Sequence, residues 1–287
     1  MTNVDKNYDV IVVGGGHNGL ICATYLARDG RKVLVVEAND SLGGASMTSQ
    51  FSDNFSVSSC AHWLFQLNSD VASDMGINGS TLELAARDLS TIALAEDGNH
   101  LTISRHKLEG AGISEDDQKA FIAFNKQINK FCKLLDGAFK RRAPKLVEGN
   151  LTDRITLAKL GLGMKMLGKE DMSDLMRLAL INIYDVMEEN FDNELLKGAI
   201  SLDSLLGSHM GPRSPNTVYG YIYRQMGEAY GYHGPAVVKG GMGAVGDALA
   251  DSARKSGVDI EMGTPVNNIK PHRAAAETTI LFSGHPA

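Results

Sequence analysis

Near the start of the chain two short runs, Val10–Val13 and Lys32–Val36, are largely apolar and mostly β-branched, which predicts two strands, the second too apolar to have a wet face. Between them Leu20–Arg28 reads as a helix with Ala, Leu and Tyr on its inner face, and Gly30 stops that helix. The prediction is strand, tight turn, helix, strand. Further along, Leu82–Ala95 is strand-like, Glu96-Asp97-Gly98-Asn99-His100 has the composition of a hairpin turn, and Leu101–Ile103 resumes the apolar run. From Ser114 the period lengthens: Phe121, Phe124, Ile128, Phe131, Leu135 and Phe139 recur every three or four residues. That pattern predicts a long helix capped by Ser114 and closed by Lys140-Arg141-Arg142 ahead of Pro144. Thr152–Leu167, Ser173–Glu189 and Val245–Ser256 predict further amphipathic helices, and Val258–Glu261 and Val266–Ile269 predict strands.

The turn after the first strand reads Gly14-Gly15-Gly16-His17-Asn18-Gly19. Gly14 allows the turn, Gly16 lets backbone approach a pyrophosphate, and Gly19 lets the helix lie close to the strand, while the helix's N–H groups and positive end face the phosphates. Glu37, about 20 residues on at the end of the second strand, is placed to accept hydrogen bonds from ribose hydroxyls. Strand, turn, helix, second strand and acid together make a dinucleotide-binding unit. Gly43-Gly44-Ala45-Ser46 then supplies a second glycine pair that lets the returning chain approach the same pyrophosphate, which NAD domains do not require.

The pattern from Asp9 to Ser46 resembles the FAD-binding flavoproteins that include amine oxidases and phytoene desaturases. Ala45 and Ser46 stand where those proteins commonly carry Arg, so the resemblance turns from amine oxidases toward phytoene dehydrogenase-like oxidoreductases and the pyridine nucleotide-disulphide oxidoreductase domain proteins. The resemblance implies an α/β fold: a Rossmann-type FAD/NAD(P)-binding domain with an inserted, mainly helical substrate or cap domain. It implies FAD as cofactor, held by Gly14, Gly16, His17, Asn18, Gly19, Glu37, Ala38, Gly43, Gly44, Ala45 and Ser46. It also implies that residues 50–63 run as a strand to the flavin ring, bringing Cys60, Ala61 and His62 nearest to it, and that Val266 makes backbone contact with adenine. The implied organisation is a nucleotide domain at 1–99 and 236–270, an incomplete cap at 100–235 and an atypical tail at 271–287. Pro271 interrupts the expected strand, one short apolar run remains at Thr278–Phe282, and no C-terminal flavin-closing motif follows, so the expectation is a C-terminally shortened member with exposed sheet edges.

Catalytic residues are not specified. His62 beside Trp63, the one tryptophan, reads first as a packed side chain, and Cys60 has no basic neighbour in sequence to activate it. Met164, Met166, Met172, Met176 and Met187 suit an irregular apolar ligand, although methionines at helical spacing are more often core. Tyr219–Tyr232 is aromatic enough to face a ring system or simply to fill a gap.

At 287 residues the chain has room for about two domains, and 43% hydrophobic with 22% charged residues is ordinary globular composition. A net charge of -6 gives no reason to expect nucleic acid or an anionic membrane. Cys22, Cys60 and Cys132 lie far apart without a C-x-x-C pair, which fits a reducing compartment and suggests neither disulphide framework nor metal site. The polar N-terminus and the lack of an apolar stretch near ~20 residues predict a cytoplasmic protein without a membrane span, with surface association with a membrane left open. The reading is a FAD-dependent oxidoreductase acting on a small, apolar organic molecule. Its rivals are an NAD(P)-dependent enzyme and a non-catalytic nucleotide-binding or interaction protein.

Overall fold

The computed structural model describes residues 7–105, 107–110, 112–269 and 281–282. In chain order the elements are β1 (Val10–Val13), α1 (His17–Arg28), β2 (Val33–Val36), β3 (Thr48–Ser52), β4 (Phe55–Ser58), α2 (Ser69–Met75) and β5 (Leu84–Ala86). Then come β6 (Thr91–Ala93), β7 (Leu101–Ser104), β8 (Lys107–Gly110), α3 (Glu115–Phe139), α4 (Leu151–Met166), α5 (Lys169–Leu178), α6 (Ile183–Asn190), α7 (Glu194–Leu205) and α8 (Thr217–Gln225). The chain closes with β9 (Val237–Val238), α9 (Gly243–Lys255), β10 (Asp259–Glu261) and β11 (Leu281–Phe282). It divides into two compact units, Met1–Arg87 with Ala236–Ala287, and Asp88–Pro235.

The first unit is built on a parallel four-stranded sheet of order β10-β2-β1-β11. All four residues of β2 are buried, as a central parallel strand requires, and its register against β1 runs from Val10 opposite Val33 to Val13 opposite Val36. α1 turns Gly19, Leu20, Ala23 and Thr24 inward and packs against α9, which turns Gly246, Leu249, Ala250 and Ala253 inward. Small side chains at these positions let the two helices approach closely. The buried Thr24 hydroxyl donates to the Leu20 carbonyl at 2.7 Å, so no polar group is stranded between them.

Tyr25, expected on the inner face of α1, is exposed and donates its hydroxyl to Asp74 at 2.7 Å, and two expected strands are corrected in this unit. Residues 50–63 do not form one long strand: β3 and β4 are an antiparallel hairpin turning at Asp53-Asn54, where Asn54 has φ 65°. Asn tolerates that left-handed conformation at little cost, so the chain turns there. Val266–Ile269 is not a strand either; the ladder ends at Glu261, Gly263 turns with φ 64°, and Pro265 has no N–H with which to continue it. Of the apolar run at Thr278–Phe282, Leu281 and Phe282 pair in parallel with Val12 and Val13 and extend the sheet by a strand. Lys270, Pro271 and the rest of the tail fall outside the described residues.

The second unit holds the three-stranded antiparallel sheet β6-β7-β8 and helices α3 to α8. The turn at 96–100 joins β6 to β7, so this hairpin belongs to the second unit, whose first residue is Asp88. α3 begins as its sequence dictates: Ser114 Oγ accepts from Asp117 N at 2.9 Å, and Phe121, Phe124, Ile128 and Phe131 form the buried stripe. Leu135 is half-buried and Phe139 is exposed, so the stripe outlasts the core it serves. The buried Asp117 carboxylate also accepts from the Asp192 backbone N–H at 2.9 Å, tying the start of α7 to the start of α3. The expected helix over Ser173–Glu189 is two helices, α5 and α6. Asn182 interrupts it because its side chain caps α6 by accepting from Asp185 N at 2.9 Å, a role Asn fills better than a helix interior.

Met187 lies in the core whereas Met166 and Met176 are exposed, so the methionines do not line one cavity. The tyrosines divide in the same way: Tyr221 is buried and stacked on Phe124, Tyr223 is exposed, and Tyr230 donates to Asp136 at 2.6 Å. Among the described residues no helix is long and apolar enough to cross a membrane, and no cluster of His, Cys, Asp or Glu is arranged to hold a metal ion.

Candidate dinucleotide-binding site

At the carboxyl end of β1 the chain turns through Gly14, with φ 101° and its N–H donating to the Val36 carbonyl at 2.8 Å, which locks the turn to β2. Gly15 is buried where a Cβ would lie 2.4 Å from a Leu42 methyl and 3.3 Å from the Glu37 Cβ. Gly16 then takes extended backbone as the N-cap of α1, with no side chain to cap the helix and no acidic residue in the first turn. The first turn of α1 thus brings neither a side-chain cap nor a carboxylate of its own to the positive end of the helix, as an anion site requires.

The second glycine pair closes on this turn. Gly43 N donates to the Gly15 carbonyl at 2.9 Å and forms a parallel bridge with Gly16, while a Cβ on Gly44 would stand 3.2 Å from the Gly16 Cα. From the other side a Cβ on Gly246 of α9 would stand 2.8 Å from the Gly43 Cα. Three backbones thus meet with no room for side chains. Ala45 is exposed, and buried Ser46 donates its N–H to the Gly43 carbonyl at 3.0 Å.

Glu37 is buried at the end of β2. Its Oε2 accepts from Gly15 N at 2.7 Å and its Oε1 from the Asn39 backbone N–H at 3.0 Å and the Asn39 side-chain amide at 2.8 Å. A carboxylate has about four acceptor positions, so one is left for a ligand hydroxyl while the others hold the acid against the glycine turn. Thr264 N donates to the Glu37 carbonyl at 2.8 Å and Gly263 N to the Asn39 carbonyl at 3.0 Å, which carries the chain past exposed Ala38 and sets half-exposed Val266 two residues beyond. Asn18 is exposed in the first turn of α1 and Gly19 is buried beneath it.

His17 opens α1, and its Nδ1 is buried without a hydrogen-bond partner. Burial holds its pKa below the ordinary imidazole value, so the ring is neutral near pH 7. A buried unpaired nitrogen is costly unless something binds there. His62 stands apart from this group. Ala61 N donates to the Ala45 carbonyl at 2.9 Å, bringing residues 59–61 alongside the second glycine turn, but His62 itself is exposed with its ring 4.9 Å from that of Trp63.

Two contributors escape sequence reasoning. Gly246 sits inside a helix, where glycine costs roughly 1 kcal/mol relative to alanine, and that cost was the available signal that a backbone passes close by. Asn39 orients Glu37, and nothing in its spacing marks it.

Most of the chain matches a known family profile. Residues 19–284 match the flavin containing amine oxidoreductases. The chain belongs to that family. Ala45-Ser46 in place of Arg does not set it outside, and the family agrees with FAD, rather than NAD(P), as the cofactor. Pyridine nucleotide-disulfide oxidoreductase domain-containing protein 2 of Rattus norvegicus is 29% identical over 297 residues, covering 96% of this chain and 51% of that protein. A limonene dehydrogenase subunit of Castellaniella defragrans is 40% identical over a shorter stretch of 102 residues, 34% of this chain and 18% of the other. The crystal structure of an oxidoreductase from Methanosarcina mazei superposes with a TM-score of 0.51 at 18% identity, covering 92% of this chain and 53% of that one, a likeness of fold. The chain spans about half the length of the rat relative.

The residues present fit FAD. The glycines bring backbones together at an uncapped helix start where side chains would collide, Glu37 keeps an acceptor, and His17 keeps an unpaired buried nitrogen.

Proposed function

We propose that this chain binds FAD in the cleft formed by Gly14–Gly19, Glu37 and Gly43–Ser46, and that it serves an oxidoreductase whose substrate is an apolar organic molecule. The observation that carries the reading is the meeting of Gly15, Gly16, Gly43 and Gly44 around a helix start that lacks a side-chain cap, with an anchored acid at the end of the next strand. In this reading the N-terminus of α1 and the backbone of Gly16 and Gly44 receive the pyrophosphate, Glu37 accepts from the ribose, and the segment at Val266 borders the adenine. FAD bound here would supply the acceptor for hydride at flavin N5.

The protein's part is to bind, orient and exclude water. Oxidation of an apolar organic molecule to a neutral product removes a proton as well as hydride, and no side chain is assigned as the base that takes the proton, since neither motif nor spacing specifies one. An apolar substrate is supported by the partial likeness to a limonene dehydrogenase subunit, whose named substrate is a hydrocarbon. The second unit, Asp88–Pro235, is proposed as the substrate side.

The test is the visible spectrum of the purified chain before and after FAD, and separately after NADH. Retained flavin absorbance that bleaches on anaerobic addition of an unsaturated terpene supports the full reading. Flavin that binds but is bleached by no substrate would leave a nucleotide-binding role alone. A folded chain that takes up NADH and no FAD would overturn the cofactor.

A further inference from the structure

α4 is apolar on both sides. Its inner side half-buries Leu157, Leu160 and Met164, and Asp153 is its one fully buried side chain. Its outer side carries Leu151, Ile155, Ala158, Leu162 and Met166, all exposed, within an arc of about 80° at the helical period. Met166 is 79% exposed and Leu151 73%. Five exposed apolar side chains on one face, set opposite the apolar side that packs inward, make a patch suited to a partner rather than to water.

The surrounding charge says which. Arg154 and Lys165 border the stripe on one side and Lys159 on the other, at 100° per residue. From Lys140 to Leu167 there are seven basic and two acidic residues, a net charge of +5 in a chain whose total is -6, so the rest carries -11. One of the two acids, Asp153, is already paired with Arg142 at 2.7 Å. The same contact folds the preceding loop onto the first turn of α4, together with the capping box between Asn150 and Asp153 and the close pass at Gly149, where a Cβ would meet the Lys145 carbonyl at 2.6 Å. Leu146 and Val147 are thus held in a defined loop, at 82% and 78% exposure.

We propose that the outer face of α4, with Leu146 and Val147, docks on the surface of an anionic lipid bilayer. Apolar side chains enter the acyl boundary while the flanking Arg and Lys meet anionic headgroups. A second copy of the chain is a poor occupant, because a two-fold interface would set two +5 faces against each other. The tail outside the described residues offers Lys270 and Arg273 against a single acid, Glu277, and so does not complement the face. The whole-chain charge gave no hint of this because the basic segment is outweighed elsewhere.

The test is flotation of the purified full chain with vesicles of phosphatidylcholine alone and of phosphatidylcholine mixed with phosphatidylglycerol. The expected result is partition into the anionic vesicles only, weakening as salt is raised. Replacing Arg154, Lys159 and Lys165 together by Ala should lower partition roughly a hundredfold, about fivefold per side chain, and Ile155→Asp with Leu162→Asp should abolish it. These positions are exposed, so circular dichroism should show each variant folded, and Lys119→Ala on α3 should change partition no more than a few-fold. Equal binding to both vesicles, no binding to either, or partition indifferent to the α4 variants would overturn the proposal. So would a concentration-dependent dimer that is lost in the Ile155→Asp, Leu162→Asp variant, which would assign the face to a second copy.

Discussion

Two helices of the first unit begin in the same way in sequence and end up differently. α1 follows Gly14-Gly15-Gly16 and α9 follows Gly240-Gly241-Met242-Gly243, each a glycine-rich turn after a short β-branched strand. At α9 the β3–β4 hairpin takes the helix's donors: Thr48 Oγ1 accepts from Gly243 N at 2.8 Å and Ser58 Oγ from Met242 N at 3.0 Å. A Cβ on Gly241 would stand 2.5 Å from that Thr48 hydroxyl, so the glycines there make room for the protein itself. At α1 no side chain caps the helix, and the glycines make room beside a second glycine turn. A glycine-rich turn before a helix is thus a site for an anion only where the protein leaves the helix end unclaimed.

Breaking α1's turn should therefore cost ligand, and breaking α9's should cost stability. The largest effect is expected from Gly16→Val, which adds a branched side chain at the N-cap of α1 beside its bridge to Gly43; FAD affinity should fall roughly a hundredfold in a fluorescence titration, with the fold retained. Glu37→Ala comes next. It removes the acceptor for the ribose and leaves the buried Gly15 N–H without its partner, so FAD should bind roughly tenfold more weakly and the chain should lose about 1–3 kcal/mol in urea denaturation. Unchanged FAD affinity in both variants would end the comparison.

Thr48→Val supplies the opposite arm. It strips the cap from α9 and should cost about 1 kcal/mol of stability while leaving FAD affinity as it was; a matching loss of FAD would show that the two helix starts are not distinct in function. The smallest effect is a pH dependence. Burial lowers the pKa of His17, so as pH falls through about 6.5 the unfolded chain takes up the proton first and the native state loses stability, whereas above that range His17 contributes no slope. Denaturation at about pH 7.5 and about pH 5.5 should show a drop in the wild type that is smaller in His17→Gln.

Neighbouring residues and backbone preferences made β1, α1 and β2 legible from the chain alone. The run of β2 has one good home, a parallel strand buried on both faces, that of β1 pairs beside it with Ile11 exposed, and Gly14 takes the left-handed conformation its turn demands. The stripe of α3 and its Ser114 cap were legible for the same reason, since cap and periodicity act within a few residues. Non-local partners decided the rest. The run at 50–63 became a hairpin that caps α9, the helix expected at 173–189 broke at Asn182, where Thr217 also accepts from Ile183 N at 2.8 Å, and Val266–Ile269 stayed out of the sheet beyond Pro265. Which glycines pack against distant parts of the protein was likewise settled by contacts across nearly 200 residues of chain, such as Gly246 against Gly43 and Gly243 against Thr48. Sequence determined the local conformations, because those depend on φ, ψ and the nearest side chains. Only tertiary structure determined which open donors were claimed, because that depends on what other chain arrives beside them.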